Sequence, residues 1–180
     1  MHHKSKKKAY RFLCFVFSLL FLPPVVDAQI LKPVKWSFAV KQSNNKGAEL
    51  ILTAKIQQGF HVYSQDINPD VGPIPTSFTF NPDKKYSLEG KVSEGKPTEV
   101  FDENFGVRLK YFSDEVVFVQ KIKLNSKEPF NIIGIVTFMV CDDKKCLPPE
   151  DIEYTFVLNA NGKSGSVQPT LSPNKKKNQP

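Results

Sequence analysis

Apolar and polar residues alternate along much of the chain with a period of two. In the segment WSFAV (residues 36–40) the large apolar side chains occupy every second position. This period is typical of a β-strand with one buried face. A turn signal, NNKG (residues 44–47), separates this segment from a second apolar run at residues 50–56, so the two segments predict a β-hairpin. Further strands are predicted at residues 60–64, 76–80, 108–112, 116–123, 132–140 and 152–158.

No segment shows the apolar pattern of an amphipathic helix. The predicted strands are short, and clusters of the turn-forming residues Gly, Pro, Asn and Asp separate them. Many short strands without helical crossovers predict an all-β fold, namely an immunoglobulin-like antiparallel β-sandwich of two sheets. We expect one such domain over residues 29–160, with a core rich in Phe and Val.

The first 28 residues have the pattern of a secretory signal peptide. Basic residues at positions 4, 6, 7, 8 and 11 precede the apolar run 12–22, and prolines and small residues then lead to a predicted cleavage site after Ala28. The apolar run is about half of the roughly 20 residues that a membrane-spanning helix needs. An uncleaved anchor is the alternative. We therefore expect a periplasmic or secreted protein.

Most of the positive charge belongs to this targeting segment. The full chain has 25 basic and 18 acidic residues, which gives a net charge of +7. Removing residues 1–28 takes away five basic residues and one acidic residue, so 20 remain against 17 and the net charge falls to about +3. This small excess predicts no nucleic-acid binding. Residues 161–180 are rich in Lys, Pro and Ser, which predicts a disordered tail.

The candidate chemistry lies in two cysteines. Cys141 and Cys146 are separated by four residues, and a polar turn can bring their Cα atoms within the roughly 4.4–6.8 Å typical of a disulfide. Export makes oxidation possible. The bond is either a structural staple or a redox-active pair, and a loop this short is an inefficient staple because it removes little entropy from the unfolded chain. Zinc needs about four ligands, and His61 is the only other thiol or imidazole after the signal peptide, so no metal site is predicted.

Three short segments give the chain a resemblance to a known family. They are GFHVY (residues 59–63), DENFG (residues 102–106) and CDDKKCLPP (residues 141–149). In this order they resemble the N-terminal periplasmic domain of the DsbD thiol-disulfide interchange transporter family. The resemblance implies an immunoglobulin-like domain that relays electrons from a membrane-embedded redox protein to periplasmic thioredoxin-like proteins. Disulfide isomerases and cytochrome c maturation factors are among those partners.

The resemblance also implies roles for the two cysteines. Cys146 corresponds to the cysteine that forms a mixed disulfide with the partner, and Cys141 corresponds to the one that resolves it. The chain would then be a component of a protein-disulfide reductase that needs no bound cofactor. Full transporters of the family continue into a membrane domain and a thioredoxin-like domain, so we expect a separate membrane-embedded electron donor. The alternative function is a secreted immunoglobulin-like binding module with a structural disulfide.

A second correspondence concerns a cap loop that shields the cysteines in that family. It maps onto Asp102, Glu103, Asn104, Phe105 and Gly106. The resemblance implies that an aromatic ring covers the sulfurs, that the acidic side chains adjust proton movement and that the glycine lets the loop turn or swing aside. Asn104 stands where the family has an aromatic residue, so Phe105 would have to be the shield. The alternative is an ordinary acidic turn with Phe105 in the core.

A third correspondence involves His61 and Tyr63. They map onto an aromatic pair that lies near the cysteines in the family, where either side chain could hydrogen-bond a sulfur or a carboxylate. The alternative is that they share one face of a strand for packing alone. The cysteine spacing also differs, since four residues intervene here and slightly more do so in the enterobacterial domain. We therefore expect a different loop geometry and redox potential.

Overall fold

The computed structural model of the protein describes residues 31–44, 46–103 and 105–158. The predicted signal peptide with its cleavage site after Ala28, Asn104 of the predicted cap loop and the predicted tail (residues 161–180) lie outside the described residues. Within the described ranges the regular structure is entirely β, and all strand pairs are antiparallel, as predicted. None of the described segments forms an apolar helix of membrane-spanning length. The strands are β1 (Val34–Asn44), β2 (Gly47–Ile56), β3 (His61–Tyr63), β4 (Ser77–Phe80), β5 (Tyr86–Glu94), β6 (Thr98–Asp102), β7 (Val107–Phe112), β8 (Glu115–Leu124), β9 (Phe130–Phe138), β10 (Val140–Cys141) and β11 (Glu150–Leu158).

The first layer of the fold is sheet 1, in which the strand order is β1-β2-β8-β5. Strands β1 and β2 form the predicted antiparallel hairpin, and Asn44 pairs with Gly47 at its turn. Buried positions alternate along β2, where Leu50, Leu52 and Ala54 are completely buried. The period of two in the sequence therefore places one face of sheet 1 in the core.

The second layer consists of two sets of strands. Sheet 2 has the order β11-β9-β4, and sheet 3 has the order β10-β3-β7-β6. Both pack on sheet 1: the ring centroids of Trp36 and Phe138 lie 5.4 Å apart, and those of Phe118 and Phe112 lie 5.9 Å apart. The core between the layers is rich in Phe and Val. The molecule is thus the immunoglobulin-like antiparallel β-sandwich that the sequence predicts.

The chain changes sheets between β9 and β10. The sequence predicts one strand over residues 132–140, whereas β9 ends at Phe138 in sheet 2 and β10 begins at Val140 in sheet 3. Both of these residues are buried, so the alternation of buried positions continues through the change of sheet and conceals it. As a result, Cys141 lies on β10, an edge strand of sheet 3 that pairs with β3.

The sequence prediction lacks strands β5 and β6. β5 is an edge strand of sheet 1 and is exposed at most positions. β6 is the edge strand of sheet 3 opposite β10 and has no buried residue. The apolar residues of β5 (Tyr86, Leu88 and Val92) alternate with polar ones, but Gly90 interrupts the pattern, and β6 does not alternate at all. The buried Gln120 side-chain amide on β8 donates hydrogen bonds to the carbonyls of Glu89 (3.3 Å) and Gly90 (3.4 Å), where the β5–β8 register shifts. These hydrogen bonds and the ladder pairing attach β5 to β8.

Candidate functional site

The two cysteines close a short hairpin at the end of sheet 3. Cys141 is the last residue of β10 and forms an antiparallel bridge with Cys146. Next to this pair, the Leu147 N–H donates a hydrogen bond to the Val140 carbonyl at 2.9 Å. The sulfurs form a disulfide, and the two Cα atoms lie 4.0 Å apart. This separation is shorter than the roughly 4.4–6.8 Å expected from the sequence.

Asp142 shapes the turn between the cysteines. Its carboxylate accepts hydrogen bonds from the backbone N–H groups of Lys144 and Lys145, each at 2.8 Å. Its own N–H donates to the Lys145 carbonyl at 2.9 Å. These backbone donors favour the charged carboxylate and hold the pKa of Asp142 below its usual value. The side chain therefore closes the turn that brings Cys146 back to Cys141.

Replacing Asp142 with alanine is expected to shift the dithiol–disulfide equilibrium toward the dithiol by about three- to tenfold. The closed turn is needed to bring the sulfurs together, and alanine removes the acceptor for two backbone N–H groups. Alkylation of free thiols in glutathione buffers measures the shift. Asp142→Asn is the matched control, since it keeps a side-chain oxygen acceptor. Equal shifts in the two variants would contradict the role of these hydrogen bonds.

The two cysteines differ in exposure. Cys141 is 2% exposed and lies in a small buried cluster with Tyr63 and Leu109, whereas Cys146 is exposed. A macromolecule can therefore reach Cys146 but not Cys141 while the fold is intact. Access is one of the factors on which the rate of thiol-disulfide exchange depends.

A cleft of about 410 Å³ includes both cysteines. Its walls come from sheet 3, from the β6–β7 connection and from the cysteine turn. Apart from Gly106, the predicted site residues that the structure describes all line it. The lining residues are His61, Tyr63, Val100, Phe101, Asp102, Glu103, Phe105, Leu109, Tyr111 and residues 141–146.

Strand register brings His61 and Tyr63 to the cysteines. His61 pairs directly with Cys141 across β3 and β10, and Tyr63 pairs with Tyr111 across β3 and β7. His61 Nε2 lies 3.1 Å from the Tyr63 hydroxyl, and its ring centroid lies 4.7 Å from that of Tyr111. Because side chains two apart share a face of a strand, both residues lie on the side of sheet 3 that carries Cys141. They line the cleft as well as packing against each other.

Burial keeps both of these side chains uncharged at neutral pH. Burial lowers the pKa of His61 from its ordinary value of 6.5, and the carboxylates of Asp143, Asp102 and Asp142 partly oppose this shift. Burial, with smaller contributions from Asp102 and Tyr111, raises the pKa of Tyr63 to about 12. The cleft thus holds a neutral imidazole beside a protonated phenol.

The predicted cap loop is the connection between β6 and β7. Asp102 ends β6, its Oδ1 accepts a hydrogen bond from the Phe105 N–H at 3.2 Å, and its carbonyl accepts one from the Gly106 N–H at 2.8 Å. Gly106 has a φ of 69°, a left-handed conformation that favours glycine and lets the chain reverse direction. Phe105 does not return to the core, because it is 39% exposed and lines the cleft.

Four residues of β6 and β7 that line the cleft were not among those predicted from the sequence: Val100, Phe101, Leu109 and Tyr111. Phe101 is 60% exposed, whereas Leu109 is buried and Tyr111 partly buried on β7. An exposed aromatic residue next to the acidic segment was the available signal for Phe101. Leu109 and Tyr111 gave no signal, because the pairing of β7 with β3 and β6 is what brings them to the site. Within the described ranges no group of three or more His, Cys, Asp or Glu residues is placed to hold a metal ion.

The chain is similar to several solved structures. The DsbD N-terminal domain of Neisseria meningitidis in the reduced form is 20% identical, with a TM-score of 0.49 over 84% of this chain and 98% of that one. The same domain in a complex with the PilB N-terminal domain is 23% identical, with a TM-score of 0.49 over 83% and 93% of the two chains. The N-terminal periplasmic domain of ScsB from Proteus mirabilis is 17% identical, with a TM-score of 0.52 over 79% of this chain and 51% of that one. The last of these similarities supports the fold.

Sequence-family comparison identifies the family of the chain, which the structural similarities do not. No curated protein gives a significant match to the chain. The family model of the thiol:disulfide interchange protein DsbD, N-terminal, matches residues 27–158, which include the whole sandwich and the cleft. This match confirms the family that the three short segments indicate. The chain therefore belongs to the family of DsbD N-terminal domains.

Proposed function

We propose that this chain is a periplasmic thiol-disulfide exchange domain that relays electrons from a membrane-embedded redox protein to thioredoxin-like proteins. One observation carries the proposal: the disulfide joins an exposed cysteine, Cys146, to a buried one, Cys141, in a cleft that also contains the cap loop. Family membership supports the same conclusion.

The proposed reaction uses the two sulfurs in sequence. In the reduced domain the Cys146 thiolate attacks one sulfur of the partner disulfide, and the other partner sulfur leaves as a thiolate and takes up a proton. The Cys141 thiolate then attacks Cys146, the bond between Cys146 and the partner breaks, and the partner's second sulfur leaves. The domain loses two electrons and forms its disulfide, while the partner gains two electrons and becomes a dithiol. The membrane-embedded donor reverses this oxidation, and neither step needs a bound cofactor.

The exposure of the two cysteines supports this order of attack. A partner disulfide can approach Cys146, which is exposed, whereas Cys141 lies in the apolar cluster beneath the cleft. Cys141 reaches only the sulfur that is already bonded to it in the oxidised state. We therefore propose that Cys146 is the attacking cysteine and that Cys141 resolves the mixed disulfide.

The family supports the proposed partner class and the proposed location of the reaction. The DsbD N-terminal domain of Neisseria meningitidis forms a complex with the PilB N-terminal domain, and the related ScsB domain of Proteus mirabilis is periplasmic. We propose that this chain likewise acts on protein partners in the periplasm, after export by the signal peptide predicted to end at Ala28. Proteins of disulfide isomerisation and cytochrome c maturation are the candidate partners.

The cap loop is proposed to limit access to the disulfide. Phe105 lines the cleft together with Asp102 and Glu103, and Phe101 is exposed beside them. We propose that this aromatic rim and its acidic side chains slow the approach of small anionic thiols to the disulfide and yield to a protein that packs on the cleft. Gly106 gives the loop a backbone conformation from which it can swing aside.

The proposal is tested by mixing the reduced protein with an oxidised thioredoxin-like protein, quenching with acid and counting alkylated thiols by mass. The expected result is the loss of two thiols from this protein and the gain of two by the partner within minutes. A protein pretreated with an alkylating agent is the control. If both thiols persist while the partner stays oxidised, the disulfide is a structural staple and the binding-module alternative is favoured.

A further inference from the structure

His61 occupies a particular position relative to the cysteines. It pairs directly with Cys141 across β3 and β10, and both residues line the same cleft. Side chains directly opposite each other in an antiparallel pair have Cβ atoms about 4.5–5.5 Å apart, within reach of an imidazole and a sulfur. His61 is also the only histidine after residue 3, so the cleft contains the one imidazole of the sandwich.

The resolving cysteine needs a proton acceptor. Cys141 is 2% exposed in an apolar cluster, and burial disfavours the charged thiolate that attacks a disulfide. Bulk water is excluded from its sulfur for the same reason. A neighbouring base that removes the thiol proton during the attack avoids an isolated buried charge.

The surroundings of His61 suit this task. Burial keeps the imidazole neutral near pH 7, so that it can accept a proton. Three carboxylates raise the pKa of the ring and so oppose the effect of burial: Asp102 in the cap loop, and Asp142 and Asp143 in the cysteine turn. They stabilise the imidazolium once it forms. The ring is thus neutral at rest, while three carboxylates favour its charged form.

Two aromatic neighbours fix the orientation of the ring. The hydroxyl of Tyr63 lies 3.1 Å from His61 Nε2, and the Tyr111 ring packs against the imidazole. If Nε2–H donates to the Tyr63 oxygen, Nδ1 is the nitrogen that accepts a further proton. Tyr63 stays protonated and does not compete for the thiol proton at neutral pH. The remaining charged groups that line the cleft are Glu103, Lys144 and Lys145.

We propose that His61 accepts the proton of the Cys141 thiol in the resolving step and passes it to the sulfur that leaves. The thiol proton moves to Nδ1, the Cys141 sulfur bonds to Cys146, and the bond between Cys146 and the partner sulfur breaks. The departing partner thiolate then takes the proton from the imidazolium. This inference rests on the proposed function, because it concerns the second half of that exchange reaction.

The test uses the purified reduced protein and dithiodipyridine, a small aromatic disulfide whose released thiopyridone absorbs light. Attack by Cys146 releases the first thiopyridone, and attack by Cys141 on the mixed disulfide releases the second. The rate of the second release is measured from pH 5.5 to pH 9 for the unaltered protein, His61→Tyr and His61→Gln. Tyrosine keeps a ring against Tyr111 but offers no base near neutral pH, and glutamine keeps a polar group of smaller size.

In the unaltered protein we expect the second rate to level off above the pKa of His61, which burial places below 6.5. In both variants the rate of the second release should be lower by a factor of about ten at pH 7. It should continue to rise toward pH 9, where the Cys141 thiolate forms without a base. Identical pH profiles in the three proteins would overturn the role of His61 and leave the proposed function intact. The absence of any second release from the unaltered protein would instead contradict the exchange reaction itself. If His61→Tyr fails to fold, the profile of His61→Gln decides the matter.

Discussion

Replacing Cys146 with alanine is expected to abolish thiol-disulfide exchange and to leave the sandwich folded. Cys146 is the exposed residue of the pair, and the remaining Cys141 is buried, so we expect a partner disulfide not to reach it. The lost disulfide closes a loop of only a few residues, so its loss lowers the free energy of unfolding by about 2 kcal/mol. The main core contains neither cysteine. Exchange is measured by the thiol count described above, and folding is measured by near-ultraviolet circular dichroism.

Cys141→Ala is the matched counterpart of that variant. It keeps the attacking sulfur and removes the resolving one, so a mixed disulfide between Cys146 and the partner should accumulate. Non-reducing electrophoresis should show this covalent complex, and dithiothreitol should release it. Normal turnover by either single variant, or a covalent complex formed by Cys146→Ala, would contradict the assigned roles.

Gly134→Ala is expected to destabilise the fold by about 3 kcal/mol and to lower Tm by roughly 6–12 °C. A Cβ atom at this position of β9 would lie 2.1 Å from the Thr79 carbonyl oxygen and 2.5 Å from the Tyr154 hydroxyl oxygen. The Tyr154 side chain crosses this glycine to donate a hydrogen bond to the Thr79 carbonyl at 2.6 Å. Any added side chain must displace a buried ring and break that bond. Thermal unfolding followed by circular dichroism measures the loss.

Gly95→Ala provides the control for this substitution. A Cβ atom there meets no other atom within 4 Å, so the change in stability should stay within about 0.5 kcal/mol. Equal Tm values for Gly134→Ala and the unaltered protein would show that the close approach at Gly134 does not constrain the core. Equal losses in the two variants would indicate a general effect of replacing glycine.

The strands that face the core could be predicted from the sequence, and the outer ones could not. The buried residues of both β2 and β9 alternate, and on β2 the apolar residues of the sequence alternate with them. On β9 the exposed Ile133 and Ile135 break the alternation in the sequence, and the strand was visible as a run of apolar, β-branched residues. β5 and β6 pair at the outer edges of their sheets and bury little, so their apolar pattern is weak. The sequence also did not predict that residues 132–140 are divided between two sheets. The alternation of apolar residues along a chain contains no information on which strand each segment pairs with.

The candidate site was predictable to a similar extent. The cysteine pair, His61 with Tyr63 and the acidic segment were visible as short motifs, and apart from Gly106 the structure brings their described residues to one cleft. Tyr111 and Leu109 were not visible, since they join the cleft only through the register of β7 with β3 and β6. The difference in exposure between the two cysteines also depends on tertiary packing and has no local sequence signal.

Redox titration of the purified protein tests the central claim most directly. The protein is equilibrated in glutathione or dithiothreitol buffers of known potential, and thiol alkylation reports the fraction in which the Cys141–Cys146 bond is oxidised. An exchange domain should show a reversible two-electron midpoint well above about −300 mV, with the fold retained on both sides of the transition. A bond that resists reduction until the domain unfolds would contradict the relay and identify the disulfide as a structural staple.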